Sequence, residues 1–127
     1  MRKIFALLAI ITMVAYGCQN QKKMAEIRFC ADILSSNPCV GEDTIFPQGR
    51  VWVQLLLKSE LEDTAVIGKL YNLQNSKRIL IGSIVHELDE GEKFIFEPLN
   101  MNISGKYEVE FVDTQGNLLA KKKVEIW

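Results

Sequence analysis

The sequence holds one histidine, His86, in the acidic stretch His86-Glu87-Leu88-Asp89-Glu90-Gly91-Glu92. Such a run could gather oxygens around a cation. Calcium, however, asks for six or more oxygens from a loop of set spacing, and the D-x-D-x-D-G order is missing. More plainly, the stretch is the polar end of a strand entering a solvated turn. A Ser–His–acid triad would need the same histidine beside an activated serine. Ser59, Ser76, Ser83 and Ser104 lack the G-x-S-x-G elbow that presents a nucleophile on a tight turn. Glu108 and Glu110 share a strand face and offer paired carboxylates for acid–base work, as in glycosidases. The same spacing also describes a solvent face. No glycine-rich loop is present to cradle phosphate. These residues lead to the expectation that the chain is not an enzyme and takes no metal or cofactor.

The elements that must position these side chains are strands. From Ala25 onward apolar residues recur every second position, and turn residues interrupt them every eight to twelve positions. Strands are expected around Glu26–Phe29, Arg50–Lys58, Thr64–Asn72, Arg78–His86, Lys93–Glu97, Lys106–Val112 and Leu118–Trp127. In the second, Val51, Val53, Leu55 and Leu57 take one face, and Trp52, Gln54 and Leu56 the other. In the sixth, Tyr107, Val109 and Phe111 oppose Lys106, Glu108 and Glu110. Pro47-Gln48-Gly49, Asn75-Ser76-Lys77, Asp89–Glu92 and Asp113–Asn117 have the residues that turns and hairpins require. No helical stripe runs for three turns past the amino-terminal segment. Seven or so short strands in about 100 residues predict one antiparallel β-sandwich over residues 25–127, with a small barrel as the alternative.

The amino terminus is different. Arg2 and Lys3 precede a thirteen-residue apolar stretch, Ile4–Tyr16, broken only by Thr12. It is too short to span a membrane, which takes roughly twenty residues, and suits the apolar core of a signal peptide. It ends in Ala15-Tyr16-Gly17-Cys18, which resembles the lipobox of bacterial lipoproteins. Ala15 stands where leucine is commonest, and Tyr16 where a small residue is usual. The resemblance implies a signal peptide over residues 1–17, cleavage before Cys18, and a diacylglycerol and further acylation on that cysteine. Ala15-x-Gly17 also satisfies the rule for ordinary secretion, and both routes cut the same Gly17–Cys18 bond. Residues 18–24 then form a short polar tether. The absence of aspartate after Cys18 implies, by the same resemblance, the outer membrane of the cell envelope, on either face.

An exported chain bears on the cysteines. With Cys18 lipidated, Cys30 and Cys39 remain as an even pair enclosing eight residues, and an oxidising compartment makes them a disulfide. Redox pairs favour C-x-x-C spacing, and zinc would need two further ligands.

The segment Gly105-Lys106-Tyr107-Glu108-Val109 resembles the G-x-Y-x-V entry to a late strand of immunoglobulin-like domains. The Asp113–Leu118 hairpin and the apolar last strand continue the likeness to Ile126. It implies a sandwich and no activity. Without Arg2 and Lys3 the chain carries 13 basic and 16 acidic residues, a net charge of −3, so no nucleic-acid partner is expected. Lys121-Lys122-Lys123 alternate faces in a strand, as at a solvated edge. Trp52, Leu56 and Trp127 are candidates for an apolar contact surface, although both faces of a central strand can be buried. The expected role is therefore a membrane-anchored accessory module whose partner is another envelope protein. A ligand carrier or protease inhibitor of the periplasm or cell surface is the alternative.

Overall fold

The computed structural model describes residues 25–34, 39–58 and 65–127. The signal segment, Cys18 and the tether lie outside the described residues. Those residues form eight strands and no helix: β1 (Ala25–Cys30), β2 (Ile45–Phe46), β3 (Gly49–Leu57), β4 (Ala65–Gln74), β5 (Lys77–Glu87), β6 (Phe94–Met101), β7 (Gly105–Asp113) and β8 (Leu118–Ile126). Every expected strand is present, and the two-residue β2 is the addition. Its pairing is parallel to β8, through Ile45–Glu125 and Phe46–Ile126. Two residues carry too little periodicity to be seen in a sequence.

The strands form a β-sandwich, not a closed barrel. A three-stranded sheet in the order β1-β3-β6 packs on a five-stranded sheet in the order β2-β8-β7-β4-β5. This is an immunoglobulin-like arrangement: β1, β3 and β6 stand where strands A, B and E do, and β8, β7, β4 and β5 where G, F, C and C′ do. Alternation builds the core. Phe29, Val51, Val53, Leu55 and Ile95 of the smaller sheet meet Val66, Tyr107, Val109, Phe111, Val124 and Ile126 of the larger one, all buried.

Local chemistry accounts for the corners. Asn75 and Ser76 both have positive φ, 53° and 63°, which makes the β4–β5 connection a two-residue hairpin whose twist matches its strands. Asp113 organises the β7–β8 hairpin, its Oδ1 accepting from the backbone N–H of Gln115 at 2.9 Å and of Asn117 at 2.8 Å. These hydrogen bonds outweigh the desolvation that would raise its pKa and hold the Asp113 carboxyl below its ordinary value. The β6–β7 corner is pinned by the Tyr107 hydroxyl, which donates to the Ile103 carbonyl at 2.7 Å. That is the tyrosine corner of immunoglobulin-like sandwiches.

Gly105 opens β7 at φ +152°, where an added Cβ would stand 3.7 Å from the Tyr107 ring and meet no hard clash. The requirement there is of the backbone. Gly105→Val should therefore cost about 1–3 kcal/mol. A melting temperature equal to that of the wild type would refute the need for glycine.

Lys122 departs from the expected solvated run. It lies between exposed neighbours, and its Nζ reaches across the sandwich to donate to the Ile27 carbonyl of β1 at 3.3 Å. The cation thus ties the two sheets at the edge where β1 meets β8.

Candidate functional site

The two sheets differ in width, and that mismatch creates the site. Three strands cannot cover five, so β5 hangs beyond β6 at one open edge of the sandwich. Ten of the eleven β5 residues are exposed, and only His86 is intermediate. Ile79, Leu80, Ile81, Ile84 and Val85 are large, apolar and between 46% and 63% accessible. A bulge separates Tyr71↔Leu80 from Leu70↔Gly82, so Ile81 has no partner on β4. Leu80 and Val85 therefore lie on the outer face, and Gly82 and Ile84 on the face towards the smaller sheet.

Between β5, β4 and β6 that inner face opens into an apolar cleft of about 180 Å³, lined by Gly68, Leu70, Ile84, Leu99, Val109 and Phe111 among others. Gly68 sets its depth. A Cβ there would come within 2.9 Å of the Phe111 ring and 3.4 Å of Ile84 Cγ2, so any larger residue would fill the floor or push the aromatic ring aside.

His86 closes one end of this edge. Its Nε2 lies 2.8 Å from Glu92 Oε1 and its Nδ1 3.1 Å from Glu97 Oε1. Glu97 belongs to β6, so the imidazole links the two sheets where the cleft ends. Partial burial pulls the His86 pKa down, but the hydrogen bonds and charges of Glu92 and Glu97 outweigh it and hold it above 6.5. The bond to His86 in turn holds Glu92 below its ordinary value of 4.5. With both ring nitrogens at carboxylates, His86 has no nitrogen to give to Ser76, Ser83 or Ser104 as a base. The expected solvated strand end is instead a structural clamp.

The signs of these shifts define a pH window. A raised histidine pKa contributes stability that is full below 6.5 and is lost as pH rises through the folded value. A lowered carboxylate pKa contributes stability that is full above 4.5 and is lost as pH falls through the folded value. The clamp should be strongest between those limits and contribute about 1 kcal/mol after solvent screening. His86→Gln should flatten the stability profile across neutral pH, and an unchanged slope would refute the clamp.

On the outer face of the larger sheet, Glu108 and Glu110 are not a solvent face. Glu108 is buried at 7% exposure. Arg78 of β5 crosses over β4, its Nε donating to Glu108 at 2.7 Å and its Nη2 to Glu110. The guanidinium carbon stands 3.6 Å from the centre of the Tyr71 ring. Glu110 and then Glu108 raise the Arg78 pKa against the effect of burial. The paired carboxylates are thus an ion-pair network that fastens the overhanging strand, one oxygen of each being held by Arg78.

The remaining sequence candidates fall as follows. Cys30 and Cys39 form a disulfide with a Cα–Cα distance of 5.4 Å. Trp52 and Leu56 lie half-buried on the outer face of the smaller sheet, beside the buried Gln54, whose Oε1 has no hydrogen-bond partner among the described residues. Trp127 directly follows β8 of the other sheet, where its backbone N–H donates to the Phe46 carbonyl at 3.0 Å. The expected three-residue surface is therefore split between the two sheets. The larger apolar exposure is on β5, whose run of isoleucines reads the same in a buried central strand.

No protein-family model matches the chain, and no curated protein matches it. Among solved structures it is similar to the superoxide reductase (neelaredoxin) of Ignicoccus hospitalis, at 11% identity and a TM-score of 0.50, over 82% of this chain and 80% of that one. A point variant of the same enzyme matches at 12% identity and a TM-score of 0.50, over 83% and 82% of the two chains. The likeness is one of fold. It corrects the expectation that the chain is not an enzyme, because both of these structures of the same fold are enzymes. Passing an electron to superoxide takes a redox-active group, and among the described residues no three His, Cys, Asp or Glu side chains are grouped to hold a metal ion. His86 is held by two glutamates, and Cys30 is bonded to Cys39. The described side chains do not fit such a centre.

Proposed function

We propose that this chain is an envelope lipoprotein, held at a bilayer through Cys18, whose sandwich offers the open β5 edge to a protein partner. One observation carries the reading: an eleven-residue edge strand exposes five large aliphatic side chains. Soluble proteins protect such edges with proline, charge or cover, because the unpaired N–H and C=O groups recruit another strand. Between Ile79 and Val85 there is neither proline nor charge. The amino-terminal pattern supports the anchor, and Gln19 after Cys18 supports the outer membrane. At this edge a carrier has less support, since the cleft of about 180 Å³ is below the roughly 300–1,000 Å³ of ligand pockets and suits one inserted side chain.

The experiment places a photo-crosslinking residue at Val85 in the full-length protein, in cells, beside a Cys18→Ala version. A protein adduct from Val85, with acyl chains on Cys18 by mass spectrometry, is the expected result. An unmodified Cys18 on a soluble product would overturn the anchor. Absence of any adduct from Val85 would overturn the contact surface.

A further inference from the structure

We infer that the outer face of the smaller sheet is the face this domain lays on the bilayer, with anionic phospholipid as its partner. This placement rests on the anchor at Cys18 and concerns the sheet that β5 does not belong to. Strand register brings the face together. Leu56 of β3 pairs with Phe94 of β6, Gln54 with Phe96 and Trp52 with Pro98, while Glu26 and Arg28 of β1 stand across from Leu56 and Gln54. Their alternate neighbours Ile27, Val53, Leu55 and Ile95 fill the core, so these side chains point outward. Phe94 is 49% exposed, and its ring lies within 10° of parallel to that of Phe96, with 6.5 Å between centres. Trp52, Leu56 and Phe96 are half-buried around it. An exposed apolar patch marks a docking surface for protein or membrane. Trp, Phe and Leu are the side chains that settle at the boundary of headgroups and acyl chains.

Charge and reach name lipid as the occupant. Arg28, Arg50 and Lys58 lie on this face against Glu26, with Glu42 at its border, whereas the chain without Arg2 and Lys3 carries 13 basic and 16 acidic residues. Arg28 stands 4.0 Å from Glu26 and 3.8 Å from Glu42, and Lys58 3.7 Å from Glu26. Such long, exposed pairs contribute little, so the cations are free to turn to lipid phosphates. Reach is set by the anchor. Ala25 opens β1, the edge strand of this same sheet, seven positions after Cys18. Seven residues span at most about 25 Å. An acylated Cys18 therefore keeps the Glu26–Leu56–Phe94 row near the headgroups at a high effective concentration. Lys22 and Lys23 add two cations between anchor and fold. With this face down, the larger sheet is the layer away from the bilayer, and the β5 edge stays open to its partner.

The test uses the full-length protein, purified from cells and reconstituted in vesicles of phosphatidylcholine and phosphatidylglycerol. Bromines on the acyl chains serve as short-range quenchers of tryptophan. Trp127→Phe leaves Trp52 as the reporter, and Trp52→Phe leaves Trp127, which follows β8 of the other sheet. Trp52 should be quenched and Trp127 should not. Arg50→Glu combined with Lys58→Glu should leave the melting temperature unchanged and lower the quenching of Trp52 by roughly half or more. Vesicles of phosphatidylcholine alone should give the same loss with the unaltered face. Quenching of Trp52 no greater than that of Trp127, in protein whose Cys18 carries acyl chains by mass spectrometry, overturns the membrane face and leaves the anchor standing. A Cys18 without acyl chains overturns the anchor and this placement together.

Discussion

Replacing Arg78 by alanine should cost the domain about 2–3 kcal/mol, a large part of the stability of a chain this size. The side chain itself is 39% exposed, and a lone surface ion pair would contribute little. Its acceptors decide the matter. The Glu108 side chain is only 9% exposed and that of Glu110 14%, so truncation strands two carboxylates together on one strand face. Removing one member of a buried pair leaves an uncompensated charge, which costs more than the pair gains. Urea unfolding should show the loss as a lower midpoint at constant slope. Glu108→Gln in the Arg78→Ala background should recover part of it. Arg78→Lys should recover less than wild-type stability, because lysine has no planar fork to span two carboxylates over the Tyr71 ring. A midpoint within error of the wild type for Arg78→Ala would show that the network is screened by water.

The second large effect is expected from the disulfide. Replacing both Cys30 and Cys39 by serine should cost about 2–3 kcal/mol, the entropy of closing so short a loop in the unfolded chain. Cys30 is fully buried at the end of β1, and the bond holds the chain as it leaves the smaller sheet. Backbone bonds close the same loop: Ala31 N–H donates to the Val40 carbonyl at 2.8 Å, and Val40 N–H to Asp32 at 3.0 Å. The serine variant should therefore still fold, with the loss appearing in the free energy and not in the fold. Reduction of the wild type should reproduce the same shift. No change on reduction would mean that those backbone bonds already hold the loop closed.

These two sites show where sequence and tertiary structure divide. The strand positions, the all-β class and the Cys30–Cys39 pair were legible because each depends on local information: a period of two, turn residues, and cysteines nine positions apart. The inward faces of β3 and β7 followed from the same alternation. Glu92 was visible beside His86 in one acidic run, but Glu97 reaches the imidazole only because β5 and β6 lie in different sheets that meet there. Arg78 is thirty residues from Glu108, and no spacing rule joins them; pairing through β4 does. The exposure of β5 was hidden for a related reason. An apolar strand has the same sequence signature at the middle of a sheet or at its edge, and burial is decided by what lies across from it. Only the assembled sandwich shows that a three-stranded sheet faces a five-stranded one and leaves the last strand uncovered.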